Sequence, residues 1–349
     1  MLVDDSSVVR GFVSQWVAAE PGFTVVGAAA NGLQALSLLD VLRPDIVLLD
    51  LDMPELDGLS ALPLLLARRP DLSVVVVSTL TRQNAEISLQ CLARGAVDYL
   101  AKPETRRGLA DAAAFRRELV HKLKGLAARH MRGPGGPRPA PVRAPSQRPP
   151  RAVSPVRPRV VAIGASTGGP QALGVLLRGL GEVGAAVPIL IVQHMPEVFT
   201  TVFAEQLRAQ TGLAVAEAVD GEPLRPGRVY LAPGGYHLGL AGAESGAVLR
   251  LDPGPPVHHC RPAVDVLFAD VARVFGPAAL AIVLTGMGSD GTAGAKALVE
   301  AGSHVIVQDE ATSVVWGMPG SIAKAGLARQ ILPLEALAGA VKAAIGPSC

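Results

Sequence analysis

The chain has 349 residues, 49% of them apolar, which is enough for about two domains with buried cores and excludes a disordered protein. Lys and Arg number 32 against 30 Asp and Glu, a net charge of +2, so overall charge gives no argument for nucleic-acid binding. Three widely spaced cysteines, Cys91, Cys260 and Cys349, contain no CxxC pair, which speaks against a disulfide framework or a zinc site and for a reducing, cytoplasmic setting.

Along the first third, short β-branched runs alternate with helical patterns: "FTVVGAA" (23–29), "PDIVLLDLD" (44–52), "LSVVVVST" (72–79) and "AVDYLAK" (96–102). A second series follows after residue 158, with "RVVAIGAS", "PILIVQHM", "RVYLAPG", "ALAIVLTGMG" and "SHVIVQD". Strands alternating with helices of this size predict two α/β domains with parallel sheets, whose sites gather at the carboxyl ends of the strands. The glycine-punctuated stretch from Tyr230 to Leu251 predicts an antiparallel hairpin inserted into the second domain. Between the two series, residues 126–158 become rich in Pro and Arg, which predicts a flexible linker separating a domain at 1–125 from one at 159–349. Every apolar run is strand-sized, well short of the ~20 residues of a membrane helix, and no signal peptide opens the chain, so no membrane insertion or export is expected.

In the first domain the ends of three strands carry Asp4 and Asp5, Asp50, and Lys102. Parallel strands bring these side chains to one rim, where crowded carboxylates call for a hard cation such as Mg²⁺ and a lysine supplies a point charge for a phosphoryl oxygen. An Asp at a strand end can also simply cap the next helix; the combination is harder to explain that way. The segments "VDDSSVVR", "DIVLLDLDMPELDG", "VVVVSTLT" and "GAVDYLAKP" resemble the response-regulator receiver domain over nearly all of residues 1–125. That resemblance implies a flavodoxin-like five-stranded fold, with Asp50 as phosphoacceptor, Asp4, Asp5 and Asp50 as Mg²⁺ ligands, Lys102 as phosphate contact, and Ser78 and Tyr99 as the switch pair. Only Met1, Leu2 and Val3 precede the paired acids, so the first strand is expected to be short and the domain weakened by it, as a start assigned too far downstream would produce.

The second domain opens on "AIGASTGGP" (162–170), a serine among glycines after an apolar run. A dinucleotide-binding turn fails here, because Ser166 occupies the place of the glycine that approaches the pyrophosphate and the second strand ends in Gln193 and His194 instead of an acid. Gly164, Ser166 and Gly168 do fit the GxSxG turn that exposes a nucleophilic hydroxyl. His194 and Asp290, at the ends of two other strands, complete a hydrolytic triad of hydroxyl, base and orienting acid. Their order, Ser then His then Asp, differs from that of α/β-hydrolases, whose histidine comes last. Each residue alone has a plain alternative: Ser166 and Asp290 as helix caps, His194 as a core histidine.

"VVAIGASTGGPQAL", "IVQHMP", "VYLAPGGYHL", "RPAVDVLF", "LTGMGSDGTAGAKAL" and "VVWGMPGSIAKAG" resemble the CheB family of chemotaxis protein-glutamate methylesterases along residues 159–349. The resemblance implies a Rossmann-like doubly wound parallel sheet. Ser166 is then the nucleophile, His194 the general base and Asp290 the orienting acid, with Thr167 and Met287 beside the oxyanion and no cofactor for the esterase. It further implies as substrate the γ-methyl esters, and glutamines, on the cytoplasmic helices of methyl-accepting chemoreceptors, and a chemotaxis histidine kinase as phosphodonor; no nucleic acid is expected. The receiver is expected to restrain the esterase until phosphorylated. A small-ester α/β-hydrolase, a receiver with a nucleotide-binding output, and the same esterase chemistry on a non-chemotactic receptor array are the competing readings.

Overall fold

In the computed structural model, which describes residues 1–102, 109–130, 156–181 and 186–346, the apolar runs become strands of two separate sheets. The chain divides into two compact units, Met1–Gly133 and Pro134–Cys349. Among the described residues, no helix is long and apolar enough to cross a membrane.

In the first unit, β1 (Leu2–Val3), β2 (Ala28–Ala29), β3 (Ile46–Asp50), β4 (Ser73–Ser78) and β5 (Asp98–Ala101) pair in parallel in the order β2-β1-β3-β4-β5. That is the flavodoxin-like order, with a switch between β1 and β3. The continuous β-branched run of β4 is buried throughout, as helices on both faces require. Helices α1 (Ser7–Ala18), α2 (Gly32–Leu42), α3 (Gly58–Arg68) and α4 (Arg82–Ala93) start where Ser6, Asn31, Asp57 and Thr81 accept a hydrogen bond from a first-turn N–H. The run "FTVVGAA" yields only the two residues of β2, an edge strand whose single partner, β1, is itself two residues long. Helix α5 (Leu109–His130) continues through residues 126–130, the start of the segment read as linker; its remainder up to residue 155 lies outside the described residues.

The second unit holds a seven-stranded parallel sheet in the order β14-β13-β12-β6-β7-β9-β8. Its strands are β6 (Val160–Ala165), β7 (Ile189–Gln193), β8 (Ala214–Glu217), β9 (Arg228–Leu231), β12 (Ala279–Val283), β13 (His304–Gln308) and β14 (Gln330–Leu332). The antiparallel hairpin is β10 (His237–Ala241) with β11 (Val248–Asp252), so Tyr230 and Leu231, read from the sequence as its first residues, belong to the main sheet instead. Strands β8 and β14, at the two edges, have no counterpart in the sequence reading. From β6 the chain winds outward through β7 to β9 and β8, then returns to β12 and winds the other way. The crevice where the direction reverses lies beside β6, the place where α/β sheets put their ligands. Around it pack α6 (Gly169–Leu180), α7 (Glu197–Thr211), α8 (Val264–Phe275), α9 (Thr292–Glu300), α10 (Met318–Lys324) and α11 (Leu334–Ile345).

Candidate active site and phosphoacceptor pocket

Ser166 follows the last residue of β6, and its backbone N–H bonds the Thr285 carbonyl beyond β12 at 3.1 Å. The turn into α6 is tight. Gly168 is left-handed at φ +76°, and a Cβ there would stand 2.5 Å from Val314, so both conformation and space demand glycine. Gly168, with no side chain to offer, is the N-cap of α6, so the Ser166 hydroxyl is not spent on capping. Behind the turn the Gln193 side-chain amide donates to the Ser166 carbonyl at 3.0 Å. On the other side Gly286 comes so close that a Cβ would lie 2.9 Å from Ser166 Cβ. These contacts of Gln193, Thr285 and Gly286 have no local signature in the sequence beyond the "LTGMGSDG" run that holds the last two.

His194 follows β7, next to Ser166 because β6 and β7 pair Ala165 with Gln193. Its Nε2 lies 2.8 Å from Asp290 Oδ2. A carboxylate only accepts, so Nε2 carries a proton, and in the neutral imidazole Nδ1 is the nitrogen with the lone pair. Asp290 is buried, and its oxygens accept three backbone N–H groups besides: Val264 at 2.7 Å, Asp265 at 2.9 Å and Gly291 at 2.9 Å. Val264 and Asp265 open α8, so the acid sits on a helix N-terminus, where a negative charge is favoured. It does not cap α9, whose N-cap is Gly291. Burial works against the Asp290 charge, but the His194 and backbone hydrogen bonds outweigh it and hold the carboxyl below its ordinary value. Burial likewise opposes protonation of His194, and the hydrogen bonds to Asp290 and Cys260 overcome it, raising the imidazole above its ordinary 6.5.

Cys260 is the neighbour that the sequence did not announce: its Sγ is 3.6 Å from His194 Nδ1 and 3.5 Å from the carbonyl of His258. It ends a two-residue hairpin turn closed by Val257–Cys260 backbone bonds of 3.0 and 2.8 Å. The central residues, His258 and His259, are both left-handed, at φ 51° and 63°, where asparagine and glycine are usual. Each such residue costs roughly 1 kcal/mol or more, and His258 is held there by Asp265 Oδ2 at 3.0 Å. His258, Asp265 and Asp290 bring ligand-type atoms within 4.8 Å of one another. Asp290 is filled by N–H donors, and Asp265 takes Gly294 N–H on Oδ1 and His258 on Oδ2, so this group is a satisfied network and not a metal site. Thr167, buried, accepts the Thr285 hydroxyl on its carbonyl at 2.9 Å, and Met287 follows Gly286 along the rim.

In the first unit Lys102 Nζ bridges Asp50 Oδ2 at 2.8 Å and Asp4 Oδ2 at 2.9 Å. Oxygens of Asp4, Asp5 and Asp50 lie within 4.8 Å of one another, with Asp5 exposed to solvent. Burial pushes the Asp50 carboxyl up to about 6 against the pull of Lys102. For Lys102 burial is also the largest influence and opposes the charge, yet the two carboxylates prevail and keep the ammonium above its ordinary value. Ser78 is buried and shares a 2.8 Å hydrogen bond with Ser88, a partner the sequence did not suggest. Tyr99 is buried too, its ring 4.8 Å beneath Lys122 Nζ.

Comparison with known proteins agrees with both halves. The family model "CheB methylesterase" matches residues 161–341, and "Response regulator receiver domain" matches residues 1–114. A protein-glutamate methylesterase/protein-glutamine glutaminase of Nitrobacter hamburgensis is 48% identical over 97% of this chain and 91% of its own length. One of a group 2 operon of Rhodopseudomonas palustris is 47% identical over 96% and 91%. Among solved structures, the Thermotoga maritima CheB methylesterase catalytic domain superposes with a TM-score of 0.51 at 40% identity, covering 53% of this chain and 98% of that one.

Proposed function

The chain belongs to the CheB methylesterase family and carries a response-regulator receiver domain, and from this we propose that it demethylates glutamate γ-methyl esters, and deamidates glutamines, on chemoreceptor helices under control of phosphorylation at Asp50. The observation that carries the reading is the His194–Asp290 hydrogen bond at the sheet's switch point, which leaves Nδ1 to act as base, on the strand paired with that of Ser166. Ser166 Oγ attacks the side-chain carbonyl as Nδ1 takes its proton; the imidazolium then returns that proton to the departing methanol, or to ammonia when the substrate is an amide. Water repeats the sequence on the acyl-enzyme, freeing the carboxylate and restoring Ser166. Asp290 keeps Nε2–H in place and steadies the imidazolium. Backbone N–H groups at Thr167 and Met287 are assigned to the oxyanion, each donor worth roughly 3 to 4 kcal/mol in enzymes of this kind.

Asp4, Asp5 and Asp50 supply only hard oxygen donors, converging within 4.8 Å, and so fit Mg²⁺. A cation held by these three carboxylates would neutralise phosphoryl charge. Asp50 Oδ accepts the phosphoryl group from a histidine kinase, Lys102 pairs with it, Ser78 leaves Ser88 to bond it, and Tyr99 follows. We assign the protein to the cytoplasm, where receptor helices and kinase meet it.

Replacing Ser166 by Ala tests the esterase reading: methanol release from methylated receptor helices should vanish, with thermal unfolding unchanged because the hydroxyl caps nothing. Activity within threefold of wild type would refute it.

A further inference from the structure

His194 has one nitrogen to offer, and two side chains compete for it. Nε2 is committed to Asp290, leaving Nδ1 for either Ser166, as catalysis requires, or Cys260, whose Sγ lies 3.6 Å away. Nucleophile, base and orienting acid in line are the arrangement that activates a nucleophile, and here a thiol completes it as well as a hydroxyl. Cys260 is half-buried, not enclosed, so small reagents reach it. Its other contact, the His258 carbonyl at 3.5 Å, can accept a hydrogen bond but cannot take the proton away. The strained His258–His259 turn, anchored by Asp265, fixes the thiol at this spot.

We propose that Cys260 is a modification site for peroxides, served by His194 as proton acceptor, and that its oxidation shuts the esterase by taking the nitrogen Ser166 needs. This rests on the esterase function proposed above. In the step, which uses the neutral form of the imidazole, the thiol proton passes to Nδ1 and the sulfur attacks one peroxide oxygen. An S–O bond forms, the O–O bond breaks, and the leaving hydroxide takes the proton from Nδ1 to become water. Sulfur is oxidised to the sulfenic acid and the peroxide is reduced. The new S–OH projects an oxygen toward Nδ1 and holds the ring away from Ser166. A dithiol reductant returns the sulfenic acid to thiol, releasing water and leaving the reductant as its disulfide.

The test uses the full chain in two arms. In the first, iodoacetamide labelling is followed at the Cys260 peptide by mass spectrometry, which keeps Cys349 separate; Cys91 is buried, its thiol pushed up to about 12 by that burial. Labelling of Cys260 should slow by about tenfold or more in His194→Gln, because the proton acceptor is gone. Unfolding would expose the thiol and speed labelling, so a fall cannot come from damage to the fold. Equal or faster labelling overturns the role of His194. In the second arm, hydrogen peroxide should inactivate the wild type, and dithiothreitol restore it, while Cys260→Ala keeps its own starting activity under the same exposure. Inactivation of Cys260→Ala at the wild-type rate, or full activity of a wild type carrying oxidised Cys260, overturns the proposal. If untreated wild type releases no methanol, the esterase reading fails, and the labelling arm still decides whether His194 activates this thiol.

Discussion

Changing Asp290 to Asn probes the tautomer on which the proposed base depends. Oδ2 receives His194 Nε2 at 2.8 Å and Val264 N–H at 2.7 Å, while Oδ1 receives the N–H groups of Asp265 and Gly291, both at 2.9 Å. All four partners are donors, so an amide NH₂ faces donors whichever way it turns. Pointed at the Oδ1 side, it strands two backbone N–H groups that have no alternative form. Pointed at the Oδ2 side, it strands only Val264, because the imidazole can move its proton to Nδ1 and accept through Nε2. The second orientation therefore wins, and it removes the lone pair that Ser166 needs. One stranded buried N–H costs about 1 to 3 kcal/mol of stability, a drop of several degrees in the melting of this unit. The wrong tautomer costs far more in rate: about 10⁴-fold in kcat, or roughly 5.4 kcal/mol of barrier. Methanol release measures the rate, calorimetry the stability, and ¹⁵N resonances of the ring report which nitrogen is protonated. A loss below about 100-fold, with the proton still on Nε2, would refute the reasoning.

Because His194 is raised above its ordinary 6.5, its neutral form is reached only at alkaline pH, and kcat/KM should climb from neutrality into that range; a profile already flat at pH 6.5 contradicts this. The same raised value stabilises the fold below 6.5 and is lost as pH rises through the folded pKa, so melting temperature should fall over the interval in which activity rises. Gly286→Ala, which sets a methyl 2.9 Å from Ser166 Cβ and against Met318 Sδ, should reduce kcat at least tenfold, about 1.4 kcal/mol of barrier; unchanged kinetics would mean the wall yields freely. Ser88→Ala removes the resting partner of Ser78, about 1 kcal/mol, and should raise activity without phosphodonor by up to about fivefold, seen by methanol release. Asp50→Asn should make the enzyme indifferent to acetyl phosphate with Mg²⁺, and persistent stimulation would point to another acceptor.

The parallel sheets and the positions of Ser166, His194, Asp50 and Lys102 were legible because each side chain closes or directly follows an apolar run, and such runs announce strand ends; Asp290 stands farther on, past the loop after β12. What surrounds them was not. Gln193 reaches Ser166 from the end of β7 and Gly286 from the loop after β12, and Cys260 meets His194 across 66 residues of sequence, so no local pattern carries these contacts. The bond between Asp290 and the start of α8 is equally silent, since "RPAVDVLF" reads as a helix start without showing which anion it receives. Length also misled: "FTVVGAA" has the composition of a full strand, yet the two residues of β1 offer it only two pairing positions.

Among the described residues, the carboxylate of Asp290 pairs with no lysine or arginine; its balancing charge comes from oriented peptide groups and one imidazole. Dissolved ions compete with exposed ion pairs but do not screen backbone dipoles packed against a buried oxygen. The two halves of the protein thus differ in what ionic strength does to them. In the phosphoacceptor pocket Lys102 and an exposed Asp5 leave charge open to the surrounding electrolyte, whereas the Asp290 charge is met by groups packed against it, so the esterase step should differ little between dilute and concentrated salt.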